Sequence, residues 1–318
     1  MRRKPIPPSL DAATGDAAIG RRRAVLMVLG AAAVFTLAAA FVKALEGGIP
    51  LAQVIFCRNL FAIPALLPLL WRHGGLAALR TTNARLHAVR TATGLLGMAG
   101  AFYGYAVLPL ATVTALGFTM PLFLTLLSVP LLRERIGPRR GAAVLAGFCG
   151  VLLMLGPGSG AGPGAGPGSG IGGGHTAAIL LVLLGALGWA LSMITIRRMG
   201  ATGEPGVAIV LWFTFGAAAV SGLASIPVWL APTPFQWAML AGTGLVSALA
   251  QVLMTEGYRR GEATLLAPFE YSAILWTTLL GVLVWGELPD RWDFAGMAVL
   301  VASGLYIWRR EMTLGIRR

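Results

Sequence analysis

Two ionisable side chains stand deep inside apolar stretches of this sequence. Glu270 lies in Ala263–Glu287, ATLLAPFEYSAILWTTLLGVLVWGE, between Pro268-Phe269 and Tyr271. Arg58 lies eight residues past Pro50 in another apolar stretch. At 1.5 Å per helical residue each is roughly 12 Å deep, counted from opposite faces. In a hydrocarbon core of about 30 Å their heights nearly coincide. A charge at such depth is costly and marks structure or function. Two readings stand for the pair. It forms a fixed ion pair between helices, or it holds a solute or a coupling proton. A carboxylate in low dielectric can exchange a proton during a cycle, so proton coupling is chemically open to Glu270.

Other residues could share the task. Tyr271, Tyr103, Trp189, Gln251 and Trp276 would line an amphipathic pocket, with Tyr105 and Trp212 as further candidates. Each taken alone also suits packing or an interfacial belt. Lys43, Arg90 and Glu256 are candidates for coupling or gating. Each has a plainer reading: Lys43 snorkels to the interface, and Arg90 anchors the start of the third helix. Glu256 pairs along its own helix with Arg259 and Arg260. Gly94, Gly97, Gly100 and Gly104 recur at spacings of three and four, so they predict close helix packing. Pro121 and Pro268 interrupt the fourth and ninth helices, which frees backbone carbonyls and half-helix dipoles for solute binding.

The elements that must position these residues are membrane helices. Of 318 residues 57% are hydrophobic and 12% charged, against about 25% charged in soluble domains. The stretches Ala24–Val42, Thr91–Leu132 and Pro205–Thr255 carry no charge. The last two must each hold two helices, since one span needs about 20 residues. Period-two alternation is absent, which excludes a β-barrel. The pattern predicts ten spans, at 24–44, 50–71, 86–107, 110–132, 139–156, 176–196, 206–230, 236–257, 263–286 and 292–309. Residues 1–20 read as a disordered cytoplasmic tail, and 311–318 as a short basic one. Residues 157–175, rich in Gly and Pro, read as an external linker.

Charge distribution sets the orientation. The net charge of +13 would suggest nucleic acid in a soluble protein, but here the basic residues sit at the ends of apolar runs. With the N-terminus in the cytoplasm, every Lys and Arg of the 25 except Lys43, Arg58 and Arg291 falls inside. That asymmetry places both termini in the cytoplasm. Cys57 and Cys149 lie within spans and read as packing residues. No HExxH, nucleophile elbow or paired intramembrane aspartate is present, so no enzyme machinery, metal site or cofactor is expected.

The chain repeats itself. At an offset of 153 residues Gly104-Tyr105 falls on Gly257-Tyr258, and Glu134 on Glu287. Nearer the start the offset is 154, and Phe35 falls on Trp189 and Lys43 on Arg197. Each half has five spans, so two like halves must face opposite ways. Inverted repeats of this kind rock around a midplane site in transporters. At the same offset of 153 residues Glu270 falls on Gly117, so the carboxylate is where the halves differ.

The sequence resembles the drug/metabolite transporter superfamily in its ten-helix branch of two EamA-type repeats. The resemblance rests on Lys43, Pro50 and Arg58, on Arg90 before the Gly-rich third helix, and on ALGFTMPLFLTLLSVPLLRERIG ending near Glu134-Arg135. In the second half it rests on Trp189 and EATLLAPFEYSAILWTTLLGVLVWGE ending at Glu287. It covers about Ala24 to Arg310, with repeats at 21–156 and 176–310. It implies a secondary transporter of small organic solutes in the bacterial inner membrane, acting by alternating access without a cofactor, as a monomer or homodimer. The PFEY run is most similar to branches for S-adenosylmethionine or riboflavin uptake. The competing class is a membrane protein without transport, either a lipid-processing enzyme or an assembly scaffold.

Overall fold

Long runs of Ala, Leu, Val and Gly without internal charge fold as helices because only the helix satisfies its own backbone in lipid. In the computed structural model the described residues are 10–45, 48–72, 74–81, 83–132, 138–154, 174–260 and 269–315. They contain no strand. The helices are α1 (Leu10–Lys43), α2 (Leu51–Arg72), α3 (Ala84–Val107), α4 (Leu110–Gly117), α5 (Met120–Leu132) and α6 (Pro138–Met154). In the second half come α7 (Gly174–Ala201), α8 (Gly206–Ser225), α9 (Pro234–Arg260), α10 (Ser272–Leu280) and α11 (Arg291–Gly315). Since α4 and α5 form one broken rod, the described residues hold ten rods.

Six segments are long and apolar enough to cross a membrane: Arg22–Lys43, Leu51–Arg72, Leu110–Leu127, Thr176–Gly200, Gly206–Val228 and Pro234–Met254. Three of the remaining rods fall short for identifiable reasons. α3 carries Arg85, His87 and Arg90, while the apolar stretches Gly141–Leu153 and Ser272–Trp285 are brief. α1 begins at Leu10, well ahead of the span expected from residue 24. The second half of the expected tail, LDAATGDAAIG, is helical because alanine is the strongest helix former. Glu134, Pro268 and residues 157–173 lie outside the described residues.

The packing of the rods repeats between halves. Let α1, α2, α3, α4–α5 and α6 correspond to α7, α8, α9, α10 and α11. α3 packs along α7, and its counterpart α9 packs along α1. α2 packs on α8 and α6 on α11, each pair being its own counterpart. The α2–α9 interface returns as α8 with α3, and the interface of α4–α5 with α7 returns as α10 with α1. α4 meets α10 directly. Such exchange is what a pseudo-two-fold between the halves requires.

Small residues set how close these rods come. A Cβ on Gly100 would lie 2.8 Å from the Gly185 Cα, and one on Gly188 would lie 2.8 Å from the Thr93 carbonyl oxygen. α3 and α7 therefore touch backbone to backbone, as the glycine spacing predicts. Across the counterpart interface the Phe41 ring lies over Gly242, where a Cβ would come within 2.8 Å.

The fourth rod breaks at Phe118–Thr119 rather than at Pro121 itself. Pro121 has no N–H to give the carbonyl four residues back, at Gly117, so the strain is released just upstream. Phe118 and Thr119 close tighter turns there, on the Ala115 and Leu116 carbonyls at 3.0 Å each. In the second half α10 starts at Ser272 after a turn at Tyr271. Phe118 and Tyr271 correspond at the 153-residue offset, so the breaks coincide.

Candidate functional site

Four groupings of side chains lie within this bundle. The first is at its centre. Arg90, expected as an anchor at the membrane interface, is instead buried, with 8% of its surface exposed. It sits two turns into α3, and its guanidinium carbon is 4.0 Å from the Phe213 ring centre and 5.9 Å from that of Trp189. Each such arrangement stabilises a cation by about 0.5–2 kcal/mol. Among the described residues Nε and Nη1 of Arg90 have no hydrogen-bond partner. Gly97 leaves room for the Trp189 indole, which a Cβ would approach to 2.7 Å. Arg58, half-buried on α2, is near enough to repel Arg90 electrostatically. Its Nη1 donates to Asn59 Oδ1 at 3.1 Å. Asn59 is itself fixed by donating Nδ2 to the Ile55 carbonyl at 2.8 Å.

The second grouping is Phe118 and Tyr271, whose ring centres are 4.6 Å apart where α4 meets the start of α10. Two residues that correspond under the repeat and touch one another lie on the pseudo-two-fold. The Tyr271 hydroxyl rests on Gly304, where any Cβ would collide with it.

The third grouping closes the end of the bundle at which α1, α3 and α10 terminate. Lys43 donates to Glu287 Oε1 at 2.8 Å and to the Leu108 carbonyl at 2.9 Å. Its ammonium is 5.7 Å from the Trp285 ring centre. Snorkelling is therefore not its role, for the side chain is buried and satisfied within the protein. Local backbone directs Glu287 to it. After α10 the chain makes a π-helical turn, Gly281–Trp285. Gly286 then takes φ 67°, a left-handed conformation that favours glycine. The Glu287 amide returns to the Gly281 carbonyl at 3.0 Å. The carboxylate is thus aimed back toward α1.

The fourth grouping lies at the opposite end of α3. Thr81 and Asn83 donate to Glu204 Oε1 at 2.5 and 3.1 Å, and His87 Nε2 is 3.5 Å from Oε2. Burial pushes the Glu204 carboxyl up, but these hydrogen bonds together bring it below the usual carboxylate range. The cluster ties the start of α3 to the α7–α8 connection. Since α3 has 24 residues, about 36 Å of helix separates this cluster from Lys43.

The expected site residues are thus only partly assembled. Trp189 joins Arg90 and Arg58, and Tyr271 is on the axis. Among the described residues Arg58 forms no ion pair with Glu270, while Lys43 pairs with Glu287. Glu270 is half-buried beside Tyr271, and Gln251 is half-buried on α9. Tyr103 and Trp276 are 37% and 40% exposed. The Glu256 side chain lies outside the described residues. Sequence reasoning missed Phe213, Asn59, the His87–Glu204 cluster and the partnership of Lys43 with Glu287. His87 stands three residues before Arg90, hence on the same helix face, and that spacing could have drawn it in.

Ten helical rods, six of them long and apolar enough to cross a membrane, form the bundle among the described residues. The chain belongs to the EamA-like transporter family, whose pattern matches residues 22–156 and 176–309. It is 31% identical to a riboflavin transporter of Rhizobium johnstonii, over 83% of this chain and 82% of the relative. It is 26% identical to an S-adenosylmethionine uptake transporter of Rickettsia bellii, over 80% and 82%. It is 29% identical to the pseudopaline exporter of Pseudomonas aeruginosa, over 90% and 96%. A crystal structure 21% identical in sequence matches with a TM-score of 0.62, covering 90% of this chain and 98% of the other, and so shares the fold.

Proposed function

We propose that the protein is a secondary transporter moving a small organic metabolite across the bacterial inner membrane by alternating access. Its units are two repeats, at 21–156 and 176–310, inverted about an axis through Phe118 and Tyr271. Both termini lie in the cytoplasm, and residues 157–175 link the repeats outside. The observation that carries this reading is the mirrored pairing of rods, with coincident breaks where the halves cross. A broken rod on a symmetry axis can hinge, and hinging of one half against the other opens a central site to each side in turn. The Arg58–Arg90 grouping is that site, with Trp189 and Phe213 as its walls. The Lys43–Glu287 pair closes the outer end, and the Glu204 cluster holds the inner end. Flavins and S-adenosyl compounds, the solutes in the relatives' names, are the first probes. Tyr271 and Gln251 remain candidates to contact solute, and Glu270 to carry a coupling proton.

Distances between spin labels test the motion without a known substrate. One pair, at Gly48 and Leu288, spans the outer end; the other, at Arg80 and Thr202, spans the inner end. Both are placed in protein lacking Cys57 and Cys149. Alternating access requires that Lys43→Met lengthen the outer distance and shorten the inner one. Distances that stay fixed, or that lengthen together, contradict it.

A further inference from the structure

We propose that Arg58 and Arg90 form a binding site for an anionic group, so that the transported solute carries a carboxylate or phosphate beside a planar ring. The inference rests on the transporter reading and names its substrate class. A guanidinium has five N–H donors in its own plane and no acceptor. Arg90 is 8% exposed, and its neighbours Phe213 and Trp189 offer ring faces, which accept none of those in-plane donors well. Two of its nitrogens accordingly have no partner among the described residues. A second cation, Arg58, acts on it electrostatically, and the hydrogen bond of Arg58 goes to the neutral amide of Asn59.

Two buried carboxylates are held away from the pair. Glu287 holds Lys43, and Glu204 holds Thr81 and Asn83. Like charges gathered inside a bundle are unfavourable unless an anion completes them. The planar fork of a guanidinium matches carboxylate and phosphate oxygens two at a time. Gly94 makes room for the Arg90 guanidinium itself, since a Cβ there would collide with Nη1. The aromatic faces of Trp189 and Phe213 beside the guanidinium suit a flat ring attached to that anion. The site is also single. Under the offsets of 153 and 154, Arg58 falls on Leu211 and Trp212, and Arg90 on Thr243 and Gly244. The charges break the symmetry that the rest of the scaffold obeys, as a site for one asymmetric solute must.

Binding to the purified protein by isothermal titration tests this with two matched pairs of probes. 2-Naphthoate against 2-naphthamide isolates a carboxylate, and riboflavin 5′-phosphate against riboflavin isolates a phosphate. The anionic member of at least one pair should bind about tenfold more tightly. Raising the salt concentration should narrow that gap. Arg90→Gln and Arg58→Gln should each remove it by weakening the anionic probe more than the neutral one, and Arg90→Lys should restore part of it. Should Arg90→Gln fail to fold, Arg58→Gln and the salt dependence decide the matter. Neutral probes that bind as tightly as both anions, or a gap that survives Arg58→Gln, overturn the proposal. Flux separates the two readings. Transport of riboflavin without any preference for anions leaves the transporter standing and removes the anion site. Anion binding without flux of any probe does the reverse.

Discussion

Lys43→Met removes the ammonium that joins the end of α1 to Glu287 and to the Leu108 carbonyl. The two bonds this abolishes are 2.8 and 2.9 Å long, and the Lys43 and Glu287 side chains are 9% and 24% exposed. Hydrogen bonds to charged groups contribute about 1.5–3 kcal/mol net. Removing one partner of a fully buried pair costs about 3–5 kcal/mol, because the other charge is stranded. Glu287 keeps some access to solvent, so the lower part of that range applies. A loss of about 2–3 kcal/mol is expected for Lys43→Met, and less for Glu287→Gln, which leaves the bond to Leu108 intact. The clean assay is a double-mutant cycle on denaturation of the detergent-solubilised protein, using wild type, both single variants and the double variant. The coupling energy should be about 2 kcal/mol, a factor of about thirty in the equilibrium. A coupling of about 0.5 kcal/mol or less, the size found for exposed pairs, would overturn this estimate and its physical basis. The pair would then be a surface interaction with no hold on the outer end.

Glycine substitutions should split by location. Gly100→Ala puts a Cβ 2.8 Å from the Gly185 Cα and should cost about 1–3 kcal/mol in a denaturation assay. Gly141→Ala meets nothing within 4 Å and should be neutral or stabilising by up to about 1 kcal/mol. Pro121→Ala restores the N–H that the Gly117 carbonyl lacks; it should leave thermal stability equal or higher and slow the flux of any probe the protein carries. The Glu204 carboxyl titrates below its unfolded value, so its contribution to stability is present above about pH 4.3 and lost as the pH falls through the lower folded value. The Tm gap between wild type and Glu204→Gln should therefore hold near neutrality and close below about pH 4.

The ten rods were legible in the sequence because charge-free runs and their lengths report directly on membrane helices. The α3–α7 packing was legible too, since glycines at spacings of three and four lie on one helix face. What the sequence did not show is how each rod is turned about its axis. Depth alone pointed Arg58 toward Glu270, whereas helix rotation sends it toward Arg90, which depth had left at the interface. Lys43 looked like a terminal residue free to reach water, and only the left-handed turn at Gly286 brings Glu287 back over it. Phe118 and Tyr271 were aligned by the repeat, but their meeting depends on where the two halves cross. Pro121 announced a broken rod correctly, with the break displaced to the residues that its missing N–H releases.

Everything proposed for this fold depends on its carrying solute across a membrane. Counterflow of labelled riboflavin, S-adenosylmethionine or riboflavin 5′-phosphate, each into proteoliposomes preloaded with the same unlabelled solute, measures that property itself. Saturable, protein-dependent accumulation is expected with at least one of these solutes. Accumulation no greater than in protein-free liposomes, from folded and correctly inserted protein with every one of the three solutes inside, would contradict the transporter reading.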